Sequence, residues 1–110
     1  MANAVQMIRR LSRRYHLDPR AVLAVARTEG GLRNRPDDIG DSGTSFGPFQ
    51  LDRGGALPGG IGNPDQWAWS QQGINYALRK MVESGAGGLH GRDSLQAIVS
   101  RFERPRDPAS

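Results

Sequence analysis

The sequence predicts a mainly α-helical domain with a long glycine-rich loop and at most a short β-hairpin. Three observations carry this. Four segments place apolar residues at helical spacing. Two of them open on Asp-Pro or Asn-Pro, a cap followed by proline at the first helical position. Between residues 31 and 62 lie nine glycines and three prolines, a density that no long helix survives.

Val5, Ile8, Leu11 and Tyr15 define an amphipathic helix over residues 3–15. Leu17 leads into Asp18-Pro19, which starts a second helix running to about Glu29. Its face of Val22, Leu23, Val25 and Ala26 is nearly continuous, the pattern of a buried central helix. Gly30-Gly31 ends it. The glycine-rich stretch follows, with a weak hairpin signal near Thr44–Leu51. Asn63-Pro64-Asp65-Gln66 reads as a capping box opening a third helix, whose apolar face runs through Trp67, Ile74, Ala77, Leu78, Met81 and Val82 to Gly85. After a turn over 85–91, Asp93 caps a last helix with Leu95, Ile98, Val99 and Phe102 facing inward. Pro105 and Pro108 close the ordered part.

At 110 residues the chain reads as one domain spanning 1–110. An apolar share of 36% and 15 glycines suit a small helical core with functional loops. There is no cysteine, which excludes disulfides, thiolate metal sites and thiol nucleophiles. His16 and His90 are far apart, with no carboxylate at zinc-ligand spacing, so no metal or other cofactor is expected. A net charge of +4 and a pI near 10.6 fit either a polyanionic partner or an arginine-rich solvated surface. No apolar run approaches the ~20 residues of a membrane span. Residues 1–14 are polar, carry Arg9, Arg10, Arg13 and Arg14, and lack the apolar centre of a signal peptide.

The residues that could do chemistry are three carboxyl groups. Glu29 closes the most apolar helix, at the end where the helix dipole disfavours a negative charge. Partial burial there would raise its pKa, as a general acid requires. Its bland alternative is an exposed glutamate at a helix end. Asp41 and Asp52 sit in the glycine-rich segment Gly40-Asp41-Ser42-Gly43-Thr44-Ser45-Phe46-Gly47-Pro48-Phe49-Gln50-Leu51-Asp52. They are either turn residues or ionised partners that orient water. One protonated and one charged carboxyl is what glycoside hydrolysis needs. Gly47 allows close backbone approach, and Gln50 offers both a donor and an acceptor to sugar hydroxyl and acetamide groups. Phe46 and Phe49 either contact a sugar face or pack beneath the loop. Helical spacing puts Trp67 on the buried face and turns Trp69 away from it, making Trp69 the candidate sugar platform. Gly40-Asp41-Ser42-Gly43 also matches the nucleophile segment of trypsin-like proteases, but this chain is too short and too helical for that fold.

Residues 23–52 resemble the core of goose-type lysozymes and soluble lytic transglycosylases. The 13-residue segment from Gly40 to Asp52 is similar to the family's Gly-Asp-x-Gly-x-x-Phe-Gly-Leu-Met-Gln-Val-Asp. The resemblance implies a lysozyme-like α fold and cleavage of the β-1,4 bond between N-acetylmuramic acid and N-acetylglucosamine. It places Glu29 on the catalytic acid, Asp41 and Asp52 on the water-positioning aspartates, and Ser45, Phe46, Gly47 and Gln50 in the substrate-binding segment. It implies peptidoglycan strands as partner, with no nucleic acid and no membrane insertion, and action in the bacterial wall or periplasm. Gly30 replaces the usual serine after the glutamate, and Phe102 lies where the family's late tyrosine is expected. The short length is similar to the lysozyme domains of bacteriophage tail and virion proteins, so delivery within a larger protein is the expectation. The competing readings are a transglycosylase forming 1,6-anhydro products, a wall-binding module without activity, and a basic nucleic-acid-binding domain built on Arg9, Arg10, Arg13 and Arg14 of the first helix. The last leaves the Gly40–Asp52 segment unexplained.

Overall fold

The computed structural model describes residues 3–29, 45–52 and 57–102. In chain order they form α1 (Ala4–Arg14), α2 (Pro19–Glu29), β1 (Ser45–Phe46), β2 (Leu51–Asp52), α3 (Pro64–Trp69), α4 (Gln71–Glu83), α5 (Gly91–Ala97) and a π-helical turn over Ile98–Phe102. The chain is mainly α, and the described residues include a two-stranded antiparallel hairpin in the region where the sequence hints at one.

Local chemistry explains where the first two helices begin and end. Asn3 Oδ1 accepts from the Gln6 backbone N–H at 2.8 Å and Gln6 Oε1 accepts from the Asn3 N–H at 3.1 Å, a closed capping box. The other end of α1 is a Schellman turn. Leu17 N donates to Ser12 O at 2.8 Å, His16 N donates to Arg13 O at 3.2 Å, and His16 takes a left-handed φ of 57°. Asp18 then caps α2: its Oδ1 accepts from Arg20 N at 2.9 Å. Its Oδ2 accepts from Gly91 N at 2.6 Å, so one carboxylate joins the starts of α2 and α5. The Gly91 N–H holds its carboxyl below the usual carboxylate range; the N–H groups of Arg20 and Ala21 and the charge of His90 add to this, and partial desolvation opposes it.

Two expectations need correction. The third helix is two helices, α3 and α4, which meet at Ser70. Ser70 is extended (φ −77°, ψ 165°), accepts from Gly73 N at 3.2 Å and donates its hydroxyl to Trp67 O at 2.5 Å, capping α4 and closing α3. The corner is tight: a Cβ on Gly73 would lie 2.1 Å from Trp67 O. Asn63 caps α3 as expected, its Oδ1 accepting from Gln66 N at 3.1 Å, but among the described residues this is a single cap and not the reciprocal box. The last helix begins at Gly91, with His90 at the cap position, and Asp93 sits inside the first turn instead of capping. Its buried side is Ser94, Ala97 and Ile98, whereas Leu95 and Val99 are exposed. The π-helical turn changes the rotation per residue, so the simple helical stripe does not hold through Phe102.

The core is one apolar cluster. Ile8 and Leu11 from α1, Val22 and Ala26 from α2, Ile74, Leu78 and Met81 from α4, and Ile98 meet in it, all within about a hundredth of full burial. Each such Leu, Ile or Val contributes about 1.5–3 kcal/mol by leaving water. α2 packs against α1, α5 and the π-helical turn, as expected of a central helix. α4 packs against α1, α3 and the same turn. Among the described residues no helix is long and apolar enough to cross a membrane.

Candidate functional site

The candidate site is built on the end of α2 and on the hairpin. The buried face of α2 stops at Ala26; Arg27, Thr28 and Glu29 are all exposed. The expected partial burial of Glu29 is therefore absent. The apolar run before it packs into the core, but the last turn of the helix projects past that core. Asp41 lies outside the described residues. Asp52 ends β2, where its backbone is in register with Ser45 of β1, the next pair being Phe46 with Leu51.

The turn between the strands is held from beneath. Gly47 and Gln50 both have left-handed φ, 82° and 51°, and Gln50 N donates to Gly47 O at 3.1 Å. Phe46, Pro48, Phe49 and Leu51 are buried. Phe49 meets Phe102 edge to face, with ring centroids 6.4 Å apart. Gly47 presses on α3 so closely that a Cβ would stand 2.5 Å from Ala68 Cβ. These contacts correct the direct sugar-binding role expected of Phe46: a ring 4% exposed has no face to offer. Phe46, Gly47 and Phe49 instead anchor the turn that carries Gln50 and leads into β2. Gln50 is half-buried, and its Nε2 donates to Gly47 O at 3.0 Å, which fixes the side chain against its own turn. Phe102, which has no hydroxyl, serves as a wall for Phe49.

The burial of the two tryptophans reverses the expectation. Trp69 is 4% exposed and packs inside, so it is no sugar platform; its Nε1 has no hydrogen-bond partner among the described residues. Trp67 is half-buried, meets Tyr76 at 5.5 Å between ring centroids, and forms one wall of a pocket of about 400 Å³ with Ile61, Asn63, Gln66 and Ser70. Lys80 Nζ lies 5.5 Å from the centre of the Tyr76 ring. The missed signal was Ser70. Ser70 is an N-cap residue that accepts from Gly73 N and starts a new helix, so the phase of Trp67 belongs to α3 alone.

His16 is an exposed turn residue and His90 sits before α5. No group of three or more His, Cys, Asp or Glu gathers among the described residues. Compared with protein-family models, with curated proteins and with solved structures, the chain matches none.

Proposed function

We propose that the chain is a lysozyme-like peptidoglycan muramidase, cleaving the β-1,4 bond after N-acetylmuramic acid. The observation that carries this reading is the segment Gly40–Asp52, which follows a helix ending in Glu29 and closes on Asp52. In the proposal Glu29 protonates the glycosidic oxygen. Asp41 and Asp52 hold water on the opposite sugar face, with the carboxyls ~6.5–9.5 Å apart as inversion requires. The hairpin supports the reading because its buried residues hold the Gln50–Asp52 end of the segment in one place. Because Glu29 is exposed, its desolvation has to come from the bound glycan, which covers the end of α2 and disfavours the carboxylate. The substrate is then peptidoglycan in the bacterial wall, reached as part of a phage tail or virion protein.

The same exposure favours a second reading, a wall-binding module whose acid is not tuned for catalysis. Digestion of purified peptidoglycan followed by mass spectrometry separates the cases. The muramidase releases fragments with free reducing ends. Fragments ending in 1,6-anhydro sugars would make the chain a transglycosylase, and retention on the wall without any released fragment would make it a binding module.

A further inference from the structure

The arginines of α1 are not used by the reading above, and two of them lead to a separate polar pocket. It has a volume of about 460 Å³, lies between the end of α1 and the start of α4, and is lined by Arg14, Tyr15, Gln71, Gln72 and Asn75. Its hydrogen bonds sort donors from acceptors. Arg10 donates from a guanidinium nitrogen to Gln71 Oε1 at 3.2 Å; because arginine can only donate, the Gln71 oxygen is the atom that faces it. Tyr15 donates its hydroxyl to Asn75 Oδ1 at 2.7 Å. Both amide oxygens are thereby engaged, and the Gln71 Nε2 and Asn75 Nδ2 groups remain as donors. Arg14 adds a guanidinium that has no carboxylate partner among the described residues, and none of the described lining residues is acidic.

We infer that this pocket is a binding site for the terminal carboxylate of a small acid or short peptide. The lining supplies a planar guanidinium and amide N–H donors, the set that matches the two oxygens of a carboxylate. Arg14 in the lining and Arg10 behind Gln71, still charged because its partner is a neutral amide, make the site cationic. The pocket is open to solvent, so the carboxylate is matched by the donors that line it and not by enclosure. Tyr15 and Arg10 are positioning residues: they turn the two amides so that nitrogen, not oxygen, meets the ligand. The site is independent of Glu29, so it stands or falls apart from the muramidase reading.

The test is an NMR titration of the whole chain with acetyl-alanyl-alanine, its C-terminal amide and dimethyl phosphate, following the side-chain NH₂ signals of Gln71 and Asn75. The acid is expected to shift both signals saturably, and the amide to leave them unmoved. Arg14→Gln is expected to weaken the acid about tenfold or more, the loss of one charge-assisted hydrogen bond. Arg14 is exposed, so its substitution leaves thermal unfolding in place as a folding check. Tyr15→Phe, which frees the Asn75 amide to turn, is expected to weaken the acid and leave Arg14-dependent charge preference intact. The inference is overturned if the acid gives no saturable shift, if its amide shifts the signals equally, if dimethyl phosphate binds more tightly than the acid, or if Arg14→Gln binds the acid as wild type does.

Discussion

Single residues decide how this small chain closes its turns. His16 is a β-carbon-bearing residue in the left-handed region, at the position of a Schellman turn that glycine usually fills. Its backbone carbonyl accepts from Gly88 N at 2.8 Å, so the geometry is held from both sides. His16→Gly is expected to raise stability by about 0.5–1 kcal/mol, read as a higher denaturation midpoint, because relief of the side-chain strain outweighs the added freedom of the unfolded chain. Asp18 works in the opposite direction, through charge. Its folded pKa lies below its unfolded value, so its contribution is full above about pH 4 and is lost as pH falls through the folded value. Asp18→Asn keeps a capping oxygen but no charge. It is expected to lower stability by roughly 0.5–1 kcal/mol at pH 7, a small figure because the site is open to solvent, and by much less near pH 2. Thermal unfolding at the two pH values checks the sign.

At the scale of elements, the close approaches matter most. Gly47 combines a φ of 82° with a would-be Cβ 2.5 Å from Ala68, whereas Gly60 has a φ of 80° and open space around it. Gly47→Ala is therefore expected to cost about 2–4 kcal/mol, strain plus overpacking, and Gly60→Ala only about 1–2 kcal/mol from strain. The difference between their unfolding free energies measures how firmly α3 holds the hairpin. Equal losses would mean that the hairpin does not rest on α3. The starts of α2 and α3 were legible in the sequence because caps are local chemistry, a side-chain oxygen two or three residues from the N–H it satisfies. The break at Ser70 was not, since apolar residues continue at helical spacing from Trp67 to Ile74 across it and only one hydroxyl marks the corner. The inward side of α5 was misread because its buried positions are Ser94 and Ala97, small residues chosen by the closeness of neighbours and not by hydropathy. The apolar residues before Glu29 predict its burial, which the structure does not show. A helix can leave its core within one turn, and α2 does so after Ala26.

For the whole molecule, a central helix ends at an exposed glutamate, and a small hairpin anchored by Phe46, Phe49 and Leu51 carries Gln50 in its turn and ends at Asp52. The candidate site thus has a solid floor under its hairpin and an open carboxyl at its helix end. The segment that suggested glycan chemistry was legible as a motif, while the work of its aromatic residues was not, because a phenylalanine beside glycine reads the same whether it faces a sugar or a core. In the proposed reaction the glycan completes the environment that makes Glu29 an acid. The most direct test is the clearance of turbid purified peptidoglycan by wild type and by Glu29→Gln, with thermal unfolding measured on both. The account predicts that wild type clears the suspension and that Glu29→Gln, folded equally well, is slower by about 100-fold or more. Equal clearance by the two proteins, or none by wild type, would contradict it.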